Sequence, residues 1–222
     1  MNIEQIYLQF LQIVNRNITD DNVNIDKSKF ILLFNSVQNR YVDWILKKRN
    51  NDSIRDVEQL LELDKPLQFN ADVLNHSDFK LPKNYFNHSS IQVFGSKNKC
   101  LKQKLEAFEV TNDNVETYLI DINNKPSFKY RETFYTINNS KISIYKDNFK
   151  IDKVFLSYYR KPVQVDIKGY ININNTPSIN IDPEFSDRIV QVILIAMAKE
   201  FSSNNGNSTQ YQIEQDKLFK QI

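Results

Sequence analysis

Few residues in this chain have the type and spacing that chemistry requires. Its two histidines, His76 and His88, lie twelve residues apart in sequence that reads as loop, with Asp78 between them. No H-E-x-x-H or His-x-His spacing exists to grip a metal. Surface or turn histidines are the plainer reading. The single cysteine, Cys100, sits in KNKCLKQK. Basic neighbours could lower its pKa, yet no signature sets a histidine beside it, so a small residue at a strand start fits better. Ser90 and Ser157 lack a G-x-S-x-G context. Asp20-Asp21 lies in a connector rich in cap residues, and Asp182 and Glu184 read as the cap of a helix. Acid–base work would need two acids in opposed environments within one cleft. Gly95, Gly169 and Gly206 are the only glycines and stand far apart, so no phosphate-cradling loop is encoded. These readings predict a non-enzyme without cofactor or metal.

Binding chemistry is better represented. SKNKCLKQK brings Lys97, Lys99, Lys102 and Lys104 close together, and Lys129, Arg131, Arg160 and Lys161 decorate apparent strands among Tyr130, Tyr158 and Tyr159. Cations and rings in this mixture are what single-stranded nucleic acid uses on small β-barrels. A solvated sheet face, with lysines blunting an edge, is the competing explanation. The totals favour it: 29 basic against 27 acidic side chains leave a net charge of +2, without the excess of a dedicated nucleic-acid binder.

The elements that would hold these residues follow from periodicity. The chain has 222 residues, 41% of them hydrophobic, with one cysteine. That length buries about 70% of the unfolded surface, and the composition suits a soluble protein made in a reducing compartment. The N-terminus does not read as a signal peptide. The longest apolar run, IVQVILIAMA, is too short to span a bilayer, so no membrane is expected. Ile3, Ile6, Tyr7, Phe10, Leu11 and Val14 predict an amphipathic helix over 2–15, and Phe30, Leu33, Phe34, Val37, Tyr41, Trp44 and Ile45 a second over 27–50. Ser53 and Asp56 resemble a capping box opening a short helix that Pro66 stops. From 67 to about 170 the segments shorten and alternate, with Asn138-Asn139 marking a hairpin and LPKNYF a single helical turn. Asp182-Pro183-Glu184 predicts the start of a long helix, 183–203.

The expected fold is therefore α+β. Two N-terminal helices and a long C-terminal helix form a helical bundle from 1–66 and 178–203, with an inserted antiparallel β-sandwich or barrel-like domain over 67–177. Residues 204–222 form a polar loop and a weakly apolar tail.

The segments LLFNSVQNRYVDWILKKRN, LPKNYF, NKPSFKYRETFYTI, VFLSYYRKPVQVDI and DPEFSDRIVQVILIAMAKEF resemble a structural protein of Bacteroides-infecting crAss-like phages, the head–tail connector or ring proteins. The layout is similar to the adaptor family of short-tailed phages, the tail tubular protein A group. The resemblance covers nearly the whole chain and rests on structural motifs. It implies a virion protein, made in the bacterial host cytoplasm and placed at the head–tail interface. There it would form a homo-oligomeric ring of about twelve copies, join the portal protein to further connector or tail proteins, and lengthen the channel that genomic double-stranded DNA traverses on ejection. On that reading the tail, with Tyr211, Ile213, Lys217, Leu218 and Phe219, docks on the portal. Tyr158, Tyr159 and Arg160 meet neighbouring subunits, and Lys97, Lys99, Lys102 and Lys104 face DNA. A nucleic-acid-binding β-module and a more distal tail ring remain the alternatives.

Overall fold

The computed structural model describes residues 1–17, 25–48, 51–97, 101–171 and 176–203. It is an α+β chain with a strongly curled, half-barrel sheet. Two compact units divide it: Met1–Gln59 together with the chain from Pro162 onward, and Leu60–Lys161.

The first unit is helical. Helix α1 (Ile3–Asn17) buries Ile3, Ile6, Phe10 and Val14 completely, a stripe at three- and four-residue spacing. Its N-terminus is closed by a reciprocal pair, Gln5 N–H to Asn2 Oδ1 at 2.9 Å and Asn2 N–H to Gln5 Oε1 at 3.2 Å. Helix α2 (Lys27–Lys48) buries Phe30, Phe34, Val37, Tyr41 and Ile45 from the expected stripe. Ile31 is also buried, while Leu32 turns outward. Helix α3 (Asn51–Ile54) passes into a 3-10 turn, Arg55–Leu60, that buries Val57 and Leu60.

Phe10 packs against Phe30 (ring centroids 5.4 Å apart) and edge-on against Phe201 (6.4 Å). Tyr41 donates to Asp56 Oδ2 at 3.2 Å, and Arg188 pairs with the other oxygen of that carboxylate.

Two largely irregular segments, 162–171 and 176–186, run beside these helices. Asn35 holds the first as a strand would: Nδ2 donates to Val165 O (3.0 Å) and Oδ1 accepts from Val165 N–H (2.9 Å). Gln38 Nε2 donates to both Val163 O and Asn35 Oδ1. Gly169 turns that first segment at φ +119°, a conformation that favours glycine.

The second unit is built on the sheet. Its strands are β1 (Leu61–Pro66), β2 (Gln68–Asp72), β3 (His76–Lys80), β4 (Tyr85–Lys97), β5 (Leu101–Glu109), β6 (Glu132–Asn138), β7 (Lys141–Tyr145) and β8 (Lys150–Arg160). The order is β1-β8-β4-β5-β6-β7-β3-β2. Its two outermost strands, β1 and β2, are consecutive in sequence and separated only by Leu67. One residue cannot cross the width of a flat sheet, so the sheet must curl enough to bring the end of β1 beside the start of β2. Leu67 N–H extends the β1–β8 ladder by bonding Val154 O at 2.9 Å. Inside the curl lie Phe79, Val93, Leu105, Tyr135, Ile142, Ile144, Val154 and Leu156. The outer side of β6 is covered too: Phe134 stacks on Tyr145 (4.5 Å) and meets Tyr118 of helix α4 (Val115–Ile120) at 5.6 Å. Both rims carry bulges, between Glu62 and Lys65 and between Phe69 and Ala71. Such irregularities discourage further strand pairing.

Several expectations change here. Residues 61–66 are a strand paired with β8, whereas the sequence reading continued a helix through Leu61. The division into units consequently falls at 59/60 and 161/162. The β5–β6 junction is parallel, so the sheet is mixed. A crossover of residues 110–131, carrying a 3-10 turn at Asn112–Asn114 and α4, makes that pairing possible. The hairpin after Asn138 forms, Asn138 facing Lys141. Residues 83–84 make only a turn before Tyr85 opens β4. Helix α5 spans Asp187–Ser203 and starts later than its apparent cap. Asp182 Oδ1 instead accepts from Ile3 N–H of α1 at 2.7 Å, and Glu184 Oε1 from Val163 N–H at 2.6 Å.

Candidate interaction surfaces

Both histidines lie on strands, not loops, and each faces one carboxylate: His76 Nε2 to Asp78 at 3.5 Å and His88 Nε2 to Glu109 at 3.3 Å. Among the described residues no three His, Cys, Asp or Glu side chains cluster as metal ligands would. Asp78 is buried and heavily bonded, by Lys141 Nζ (2.7 Å) and Ser143 Oγ (2.6 Å). Burial alone would raise its pKa, but these two donors and the nearby His76 outweigh that and hold it below the usual carboxylate range. Ser157 is buried; its Oγ accepts from Asp64 N–H at 3.1 Å and donates to Asp64 Oδ1 at 3.3 Å, in the β1 bulge. Cys100 and Asp20-Asp21 lie outside the described residues.

The tyrosines assigned to neighbouring subunits are spent within their own chain. Tyr158 is 4% exposed, its hydroxyl donates to Asn84 Oδ1 at 3.0 Å, and its ring meets Tyr85 at 6.0 Å. Burial first, then the charge of Glu62, raises its pKa. Tyr159 is buried, opposite Leu61 of β1. Arg160 is mostly covered and lies 3.8 Å from Glu62. The cause is the unforeseen strand β1, which turns the end of β8 from a rim into an interior strand. Tyr158 and Tyr159 thus lie within the sheet, and Arg160 beside Glu62.

The lysines fare differently. Lys102 and Lys104 are exposed on one side of β5, opposite Ser96 and Phe94 of β4. Across β4, Lys153 and Phe155 of β8 face Phe94 and Gln92, and Phe94 meets Phe155 edge-on at 5.8 Å. Lys97 is half-buried at the end of β4. Acids interrupt this face: Asp152 accepts from Ser96 Oγ, and Asp64 from Gln92 Nε2. It is a mixed surface, not a cationic stripe. Lys99, Tyr211, Ile213, Lys217, Leu218 and Phe219 lie outside the described residues.

Two features were invisible in the sequence reading. One is the tip after α4, where Ile120 and Ile122 are 81% and 82% exposed around an Asp121-centred turn whose carboxylate accepts from Asn123 N–H and Asn124 Nδ2. The other is a groove of about 330 Å³ between α2 and residues 164–171 with Ile181. Its lining includes Ile31, Leu32, Val165, Ile171 and Ile181, with Asn35 and Asp166 as polar members. Leu32 is 62% and Ile171 71% exposed. At one end Tyr170 donates to Asp166 Oδ1 (2.6 Å), and burial, then that carboxylate, raises the phenol to about 12. The only available signal was that Leu32 falls off the α2 stripe.

No protein-family model matches the chain, and no curated protein sequence matches it. No helix among the described residues is long and apolar enough to cross a membrane.

Proposed function

We propose that this chain is a structural subunit of a closed ring at a phage head–tail interface, joining portal to tail around the DNA channel. The observation that carries it is the distribution of bare apolar side chains. Leu8 and Ile179 in the helical unit, and Phe69, Leu74, Ile120 and Ile122 in the sheet unit, are all more than half exposed. Ile120 and Ile122 sit together on an ordered turn, where contact with a partner would cover both. The resemblance of the quoted segments to crAss-like phage connector proteins supplies the kind of assembly. In this reading α1, α2 and α5 are the adaptor's helical bundle, and copies join front to back, as ring closure requires. The 211–222 segment docks on the portal.

The test is the mass of the purified protein, alone and mixed with the portal of the same phage, by mass photometry and negative-stain imaging. Symmetric rings bound to portal are expected. A chain that stays monomeric at every concentration and ignores the portal refutes the reading. The Lys102, Lys104, Lys153 and Phe94 face supports a second reading, single-stranded nucleic-acid binding. Steeply salt-dependent retention of an oligonucleotide by the monomer would favour it.

A further inference from the structure

The groove beside α2 has an apolar floor and two bare apolar walls, Leu32 and Ile171. Carboxylates stand at one end: Asp166 lines it, and Asp26 is close enough to Tyr170 to help raise its pKa. One cation lies nearby, Lys27, which donates to Lys168 O at 2.8 Å and keeps its charge against the two carboxylates. The groove therefore suits a short apolar sequence flanked by positive charge.

The chain contains one within reach. Beyond α5, which ends at Ser203, residues 217–220 read Lys-Leu-Phe-Lys, an apolar pair between two cations. Near the end of α5, Glu200 pairs with Arg40 on α2, the helix that forms the groove's wall. Arg40 is five positions from Asn35, about 7.5 Å along the helix axis. The residues between Ser203 and Lys217 could extend about 45 Å, far more than that separation. A tether of this kind gives an effective concentration in the millimolar range, so even weak contacts hold the segment.

We propose that the groove seats Lys217–Lys220 of its own chain, with Leu218 and Phe219 against Leu32, Ile171 and Ile181 and the lysines toward Asp26 and Asp166. The inference deepens the connector reading: it rests on the 211–222 segment being the one that meets the portal. Seated in the groove, that segment is withheld from other copies, and the portal must displace it. Assembly is thereby tied to the template.

Hydrogen–deuterium exchange on the full chain tests this without portal. Amides of 217–220 should exchange about tenfold more slowly than in a synthetic peptide of residues 211–222. The protection should be equal at two protein concentrations. Leu32→Asp and Ile171→Asp, both at exposed positions, should abolish it while leaving α1, α2 and α5 protected as before. Free-peptide exchange rates in the unaltered chain would overturn the proposal. Protection that grows with concentration would also overturn it, assigning the groove to another copy. Portal binding of the chain lacking 207–222, measured separately, tests the docking reading on its own: retained binding sinks docking and leaves the groove result standing.

Discussion

Asn35→Ala should weaken the helical unit more than any exposed substitution on α2. One side chain there completes both hydrogen bonds of a backbone residue, since Val165 N–H and Val165 O each end on the Asn35 amide. Val165 itself is buried, so water does not readily replace the lost partner. An unsatisfied buried group costs about 1–3 kcal/mol. Two such groups, discounted because the site is only partly enclosed, give a loss of about 2–4 kcal/mol. Against a domain stability of about 5–15 kcal/mol this is a large share. The assay is urea unfolding followed by fluorescence of Trp44, the only tryptophan, which lies on α2 and reports this unit. Asn35→Asp adds a sharper arm. The introduced carboxylate keeps the acceptor for Val165 N–H but turns a second oxygen on Val165 O. Its folded-state pKa is therefore raised, so the variant should regain stability as pH falls and lose it as pH rises through that pKa. A cost below about 0.5 kcal/mol for the alanine variant, the size of an ordinary surface change, would refute the view that Asn35 acts as a surrogate strand.

Two further outcomes follow from the sheet unit. Gly95→Ala builds a Cβ 3.0 Å from both Leu105 Cδ1 and the Lys150 carbonyl, and backbone cannot step aside. A loss of about 1–3 kcal/mol is expected, read as a lower thermal midpoint with the helical unit unchanged; an unchanged midpoint counts against this packing. Asp78 has a depressed pKa, so its contribution is complete above the unfolded carboxylate value near pH 4 and disappears as pH falls through the lower folded value. Asp78→Asn should flatten that acid limb of the stability profile, and an identical limb in the variant would exclude Asp78 as its source.

What the sequence made legible was local. The stripes of α1 and α2 emerged from three- and four-residue spacing, and the β6–β7 hairpin from a pair of asparagines, because adjacent residues alone decide both. Leu61 could continue the apolar spacing of Val57 and Leu60, so nothing local distinguished a further helical turn from a strand. Its fate depends on Tyr159, far away in the chain. The parallel β5–β6 pairing is equally non-local, since parallel neighbours leave no turn signature. Asp182 and Glu184 stood in a cap pattern, yet their carboxylates bond Ile3 and Val163 across long sequence separations. The groove was hidden for the same reason: Leu32 and Ile171 line it together only once Asn35 has bound Val165.

The placement of Leu67 sets an order of events during synthesis. The ribosome delivers β1 and β2 back to back, and β2 can pair at once with β3. Among the described residues β1 pairs with β8 alone, whose last residue is Arg160. Until that residue has left the exit tunnel, the strand that must line the final seam has nothing to zip against. The sheet is therefore complete only after β8 has emerged, and a nascent chain arrested before β8 would carry β1 without its partner strand.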